Sequence, residues 1–545
     1  MNDTLYTKKE LFMRTIEQYK VIELSFTSEK TYSTGFEMEL FVEFKCGKIS
    51  KKIRGFWDGD NNWKVRFSPE ILGQWVVSTT AVTCVTASQK NTCVTAKDGS
   101  RLSLVTAYQK LGNNAQHGSV KCVEYAGDNP IYKHGPLKLS ENKTHLVHND
   151  GTPFFWLADT AWNGVMRSDE ENWQKYLDKR VEQRFTAIQY VSSHWRGNAL
   201  DLAGEPSCTE KAPIAINPDF FKRLDRKVAM INEAGLIATP VAIWTFLDTD
   251  LGCVLSEEDC IKLAKYIVAR YDAYQVIWLL GGDGDYQKTG IDKWKHIGRA
   301  AFEYSHNRIA TLHTCGVTWP NEFYRDENWY SFMGYQSGHS DSENDIKWLT
   351  VGPPATEWKK QPTLPVINLE PNYEGAHGYA HNTFYTDYHV RRAAYWSLLV
   401  SPTAGVTYGH DAIWNWNFET GPSEGHGNWG DGKIAPWYTG LETEGLNSMK
   451  IMRDIFDTLD WTTLTPAQEL LNEQPGDSNP TSFVAVAKNR DNIIMYSPCG
   501  GTVSIKCNGQ FKIINPKTGK TVGIQDCSNS ITFPNPDQDW IGIFN

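Results

Sequence analysis

The chain has 545 residues, a length that holds about three domains of ordinary size. Its net charge of -10 is spread over interspersed acids and bases with no basic stripe, which argues against nucleic acid or an anionic membrane as a partner. No stretch approaches the ~20 apolar residues of a membrane span, and the opening MNDTLYTKKELFMRTIEQYK lacks the apolar core of a secretory signal.

Residues 8–18 read as a helical or irregular lead-in. From about Val21 to Lys138, short runs alternate apolar and polar residues: VIELSF, MELFVEF, KKIRGFW, WKVRFSP and GQWVVSTTA. Turn signals such as Asp58-Gly59 separate them, and the pattern predicts an all-β sandwich over residues 1–140.

From Thr152 the period changes. Apolar runs alternate with amphipathic helical stretches, which calls for βα units and a parallel sheet. Eight runs read as strands, at 154–158, 185–191, 236–244, 276–281, 309–313, 330–336, 364–370 and 405–408. Between them, Ser168 to Glu171 has the form of a capping box, Asn217-Pro218 opens a helix that Gly235 closes, and Ser256 starts another. The fold class expected is α/β, with a (β/α)8 TIM barrel over residues 141–460. After a helix at 441–459 the texture returns to short strands, SFVAVAKN, DNIIMYSP, GTVSIKC, QFKIINP, TVGIQ and DWIGIF, with a hairpin turn at 515–519. Residues 461–545 are therefore expected to form a second, smaller β-sandwich, flanking the barrel on the other side.

Two segments carry chemistry. IWLLGGDGDY and LPVINLEPNYEG are β-branched apolar runs that each stop at an acid, Asp283 on the fourth strand candidate and Glu370 on the seventh. Barrel active sites lie at the C-terminal strand ends, and two carboxylates fixed there are what glycosidic cleavage needs. Glycines 281 and 282 would let backbone or sugar approach closely. The competing reading is that Asp283 or Asp285 only caps the following turn. Glu370, on the strand itself, is better held than Glu374 in the loop beyond, which is expected to orient Glu370 or bind a sugar hydroxyl.

Acids at the ends of strands four and seven are the layout of a large clan of retaining glycosidases, with Gly-Asp here where Asn-Glu is usual. More closely, the barrel resembles the apiosidase-like glycoside hydrolases. The resemblance rests on GTPFFWLADTAW at 151–162, Trp-x-x-Gly-Gly-Asp at 278–283, Gln-Ser-Gly-His at 336–339 and Glu-Pro-x-Tyr-Glu-Gly at 370–375. It implies Asp283 as acid/base, Glu370 as nucleophile and apiose-containing pectin side chains as the nearest substrate class. It leaves the sugar 2-hydroxyl contact, which the clan's Asn normally makes, unassigned. The N-terminal region, with Phe56–Gly59 and Trp63–Phe67, is similar to an immunoglobulin-like domain often fused ahead of such barrels. The C-terminal region is similar to a small β-sandwich that carries a collagen-binding label in that family.

Other strand ends supply a polar and aromatic rim: Asp159 and Trp162; His194 and Trp195; Trp244; His313; Gln336 and His339; Tyr373; and Tyr408, His410 and Trp414. Together with Asp285 and Glu374 they are the candidate substrate-binding residues for an oligosaccharide or polysaccharide. No cofactor and no metal site are expected. A metal-dependent barrel hydrolase is an alternative prompted by the histidines, but strand one reads FFWLAD, with no His-x-His. A non-catalytic carbohydrate-binding protein is the other. The 21 Trp and 24 Tyr suit sugar faces as well as they suit cores. Eleven cysteines without CxxC spacing read as reduced thiols in a cytoplasmic protein, with Cys84/Cys93 and Cys499/Cys507 as hairpin pairs if the protein is exported.

Overall fold

Alternation in the N-terminal region becomes two facing sheets in the computed structural model, which describes residues 12–28, 31–83, 102–104, 116–196, 200–306, 309–423 and 433–544. One sheet runs, edge to edge, Phe12–Glu17, Gln116–Val123, Gly73–Thr83, Met38–Cys46, Ile49–Arg54; the other runs Phe56–Trp57, Asn62–Phe67, Ile22–Ser28, Leu102–Leu104. In Ile22–Ser28 every second residue is buried, and Leu24 and Phe26 pack with Leu40, Val42, Trp63 and Trp75 between the sheets. The expected helical or irregular lead-in is instead an edge strand, Phe12–Glu17, paired in parallel with Gln116–Val123. Met13, Arg14 and Thr15 are exposed, so this strand has almost no apolar face to read. Its partner lies about a hundred residues downstream.

Eight parallel strands follow: β1 (Trp156–Thr160), β2 (Ala187–Val191), β3 (Ile237–Thr245), β4 (Trp278–Gly284), β5 (Ala310–Thr311), β6 (Met333–Gln336), β7 (Val366–Glu370) and β8 (Gly405–Gly409). Both faces of these strands are covered, so their residues are buried almost without interruption. Strand β1 pairs with both β2 and β8. At the seam between β5 and β6, the Ser331 N–H donates to Ala310 O at 2.8 Å and the Thr311 hydroxyl donates to Phe332 O at 2.7 Å. This is the TIM barrel.

The outer helices include α1 (Glu170–Glu182), α2 (Pro218–Glu233), α3 (Glu257–Tyr271), α4 (Ile291–Ala301), α5 (Glu343–Val351), α6 (Asp387–Leu399) and α7 (Glu444–Phe456). Asn217 and Ser256 cap α2 and α3 as expected, with Pro218 opening α2 and Gly235, at φ 85°, just beyond its end. The cap of α1 is Asp169, not Ser168: the Asn172 N–H donates to Asp169 Oδ1 at 2.7 Å. Ser168 belongs to the end of the preceding turn, Gly164–Arg167.

The C-terminal region is hydrogen-bonded as one six-stranded antiparallel sheet. Its long hairpin, Gly501–Ile514 with Thr521–Phe533, shifts register between Ser504 and Asn508. Ile505 reaches an isolated bridge with Leu471, so the sheet closes over its own core of Val486, Met495, Phe511 and Ile531. The hairpin turn lies at 515–519. Cys499 and Cys507 are unpaired; Cys507 Sγ instead faces Cys527 Sγ at 3.8 Å across the hairpin. Cys84 and Cys93 lie outside the described residues. No helix among the described residues is long and apolar enough to cross a membrane.

Buried polar contacts fix both β-regions to the barrel. Arg66 of the N-terminal sandwich and Arg270 of α3 share the carboxylate of Asp225 on α2. Arg391 of α6 forms a forked pair with Asp539 at 2.8 and 2.9 Å, and Tyr395 stacks on Tyr496 at 4.8 Å.

Candidate active site

At the C-terminal mouth of the barrel a cleft of about 1210 Å³ contains both acids. Asp283 near the end of β4 and Glu370 at the end of β7 are joined by one side chain. His313, just past β5, has Nδ1 3.3 Å from Asp283 Oδ1 and Nε2 3.3 Å from Glu370 Oε2. Both contacts are at ion-pair distance without hydrogen-bond alignment. The ring is fully buried between Trp162, edge-on at 5.0 Å, and Trp244 at 5.8 Å. Glu370 Oε1 is 2.8 Å from His339 Nε2, and Gln336 Nε2 donates to Asp283 Oδ1 at 3.4 Å.

These surroundings treat the two acids differently. Burial opposes ionisation of both. In Glu370 it is outweighed by His313 and His339, which hold the carboxyl well below its usual range. In Asp283 burial dominates over His313, and the charge of Glu370 adds to it, so the carboxyl titrates above its usual range. Burial also works against a charge on His313, but the two flanking carboxylates raise it to about 9. The two acids are thus pushed in opposite directions, Asp283 toward its neutral form and Glu370 toward its charged form.

Of the candidate binding residues, Trp162, Trp195, Trp244, Gln336, His339, Tyr373, His410 and Trp414 line this cleft. Desolvation, helped by the charge of Arg180, lowers the pKa of half-buried His410 to about 4, and the Ala412 N–H donates to its Nδ1 at 3.1 Å. The neutral ring therefore carries its proton on Nε2.

Five candidates are placed elsewhere. Asp159 and Tyr408 are register partners on β1 and β8 and both face the helices. Asp159 accepts from Tyr176 and Arg180 of α1, and Tyr408 donates to Glu374. Glu374 is turned away from the cleft: its carboxylate also accepts from the Thr443 hydroxyl at 2.6 Å and the Gly445 N–H at 3.0 Å, at the start of α7. His194 is buried against Ser207 Oγ at 2.7 Å. Asp285 accepts backbone N–H groups of Gln287, Lys288 and Thr289, so the turn-capping reading holds for it.

The two β4 glycines just ahead of Asp283, Gly281 and Gly282, serve side chains of the protein. A Cβ at Gly282 would collide with the Trp244 ring, and one at Gly281 with the Tyr286 hydroxyl. Trp244 thus occupies the space that a larger residue ahead of the acid would take.

Sequence reasoning missed Arg196 and the outer wall. Arg196 follows β2 at φ 49°, lies over Trp195 at 4.7 Å and works to lower the pKa of Asp283. The loop after β7, GAHGYAHNTFY, brings His377, Tyr379, His381 and Phe384 to the cleft. Asp341 holds it by accepting from the N–H groups of Ala380, His381 and Thr383 at 2.9, 2.8 and 3.2 Å. Its density of His and aromatic residues between glycines was the available signal.

Among the described residues no group of three or more His, Cys, Asp or Glu is placed to hold a metal ion.

Comparison with known proteins gives the following. Residues 140–463 match a family model described as "Apiosidase-like, catalytic domain", and residues 15–81 match a domain of unknown function, DUF5060. No curated protein matches. Among solved structures, one described as a glycoside hydrolase is 23% identical with a TM-score of 0.64, covering 76% of this chain and 97% of its own. A glycoside hydrolase family 5 structure from Bacteroides vulgatus is 22% identical with a TM-score of 0.65, covering 76% and 94%. A second Bacteroides vulgatus structure, provisionally assigned as a glycoside hydrolase, is 18% identical with a TM-score of 0.67, covering 97% and 99%. At these identities the structural likeness establishes the fold.

Proposed function

The chain belongs to the apiosidase-like family of glycoside hydrolases, and from that membership we propose that it is a retaining enzyme with Asp283 as acid/base and Glu370 as nucleophile. The observation that carries the assignment is the unlike surroundings of two acids sharing one cleft: Glu370 ionised between two imidazoles, Asp283 with its pKa raised.

In the first step the Asp283 proton passes to the glycosidic oxygen while a Glu370 carboxylate oxygen attacks the anomeric carbon and the bond to the leaving group breaks. Asp283, now a carboxylate, takes a proton from water. The water oxygen attacks the anomeric carbon, and Glu370 leaves as carboxylate. Half-buried Trp414 offers a ring face to the sugar, Trp162, Trp195 and Trp244 form the buried floor of the cleft behind it, and His410 offers an Nε2 proton to a hydroxyl. The substrate class is an apiose-containing or related plant oligosaccharide.

The test is a screen of aryl glycosides and plant oligosaccharides followed by NMR of the first-formed anomer. Retention of configuration, with turnover abolished in Asp283→Asn and Glu370→Gln, is expected. An inverted product refutes the double displacement, and unchanged turnover in both variants refutes the site.

A further inference from the structure

We propose that His313 is a positively charged positioning residue that balances, in turn, each of the two carboxylates of the active site. This inference rests on the assignment of Asp283 and Glu370 above, which uses His313 only to keep Glu370 ionised.

The argument is one of placement. In a double displacement the cleft holds one negative carboxylate in each half of the cycle, and that charge changes place. Before attack it is on Glu370 while Asp283 keeps its proton; in the glycosyl-enzyme Glu370 is an ester and Asp283 has become the carboxylate. A cation serving only one half would favour one acid. His313 is 3.3 Å from each, through different ring nitrogens. Its own two protons stay in place throughout, so the sum of charge over the three groups is zero at both stages.

The ring cannot swing toward one acid without leaving its slot. It is fully buried, with Trp162 against it edge-on and Trp244 tilted across it. The other titratable groups around it act on the acids. His339 touches Glu370 from the far side, Arg196 bears on Asp283 from the loop after β2, and Tyr373 lies beside Glu370. Cys315, two residues on, bonds through sulfur to Gly284 O at 3.6 Å. Of these groups Cys315 feels both carboxylates, and they add to burial in pushing its thiol far up, so it supplies no positive charge to either acid. An uncompensated buried charge is expensive, so a neutral ring between two acids that exchange a charge would leave one half of the cycle unsupported.

The test reads the ring directly. In the full chain labelled with 15N-histidine, the imidazole that responds to the acids should remain doubly protonated past pH 8. In the isosteric double variant Asp283→Asn/Glu370→Gln the same ring should be neutral at pH 7.5. A ring already neutral at pH 7 in the unaltered protein, or one whose titration is the same in the double variant, overturns the proposal whether or not a substrate is known. The kinetic counterpart is His313→Asn: the acid limb of kcat/KM, set by Glu370, should rise by a pH unit or more. An equal loss at every pH with both limbs in place overturns it. Turnover that survives loss of both acids would instead refute the assignment of the acids and leave the NMR result standing.

Discussion

His339 Nε2 stands 2.8 Å from Glu370 Oε1, and the peptide carbonyl of the same His339 accepts the N–H of Tyr379 and the hydroxyl of Tyr385. One residue thus ties the proposed nucleophile to the loop that forms the outer wall of the cleft. The acid and the wall are placed together.

Replacing His339 by Ala should lower kcat by about 10- to 100-fold, the equivalent of a charge-assisted hydrogen bond of about 1.5–3 kcal/mol. The ring orients and stabilises the carboxylate, so KM for a short aryl glycoside should move less than kcat. Steady-state kinetics on such a substrate decides it; a KM effect with kcat intact would mean the ring serves binding only.

Gly282 on β4 makes a stability prediction. A Cβ at Gly282 needs the space of the Trp244 indole, which packs on Trp195 at 4.4 Å and Trp162 at 5.4 Å. Gly282→Ala should therefore cost about 1–3 kcal/mol through overpacking and disturb the aromatic wall beside Asp283. Thermal unfolding with near-ultraviolet circular dichroism would show both effects. A melt and aromatic signal like those of the unaltered protein would show the indole moves freely.

These cases show what sequence could and could not deliver. Strand ends, and with them Asp283 and Glu370, were legible because β-branched runs stop where a buried strand leaves the sheet. Which way a strand-end side chain points was not legible. Asp159 lies between Ala158 and Thr160, and one position along a strand reverses its face. Thr160 accepts from Gln189 inside the barrel at 3.3 Å, while Asp159 meets α1. Tyr408, its register partner, shares the same outward side. Loops were harder still. Glu374 looked like a ligand for sugar because only the fold shows that the start of α7 claims its carboxylate. The wall from Gly375 to Phe384 depends on Asp341, more than thirty residues upstream.

Asp225 should govern acid stability. Burial disfavours its charge, but Arg270 and Arg66 on either side hold its pKa at about 2. The carboxyl of an unfolded chain titrates near 3.9, so the contribution is complete above that value and is lost as pH falls toward 2. Asp225→Asn, which leaves two buried guanidinium groups short of their counter-charge, should destabilise by about 3–5 kcal/mol at neutral pH. The gap to the unaltered protein should narrow by about 2–3 kcal/mol between about pH 4 and pH 2. Urea unfolding at several pH values measures this. A constant gap would show that packing, not charge, carries the effect.

The outer wall makes the last prediction, and it separates binding from chemistry. Tyr379 is 67% exposed at the mouth of the cleft, and its ring meets His339 edge-on at 5.7 Å. An exposed aromatic ring fixed by its own backbone is a face on which a sugar can stack at little entropic cost, and the Tyr379 N–H is held by His339 O at 3.0 Å. Such a ring can only help a substrate long enough to reach it. Tyr379→Ala should therefore raise KM for an extended oligosaccharide by about 3- to 10-fold, corresponding to about 0.5–1.5 kcal/mol of stacking. It should leave kcat and the kinetics of a short aryl glycoside nearly unchanged, and Tyr379→Phe should restore the oligosaccharide KM because the face, not the hydroxyl, does the binding. A loss shared equally by short and long substrates would instead mean that the ring acts through His339 on Glu370, making Tyr379 part of the support of the nucleophile and not a surface for the sugar chain.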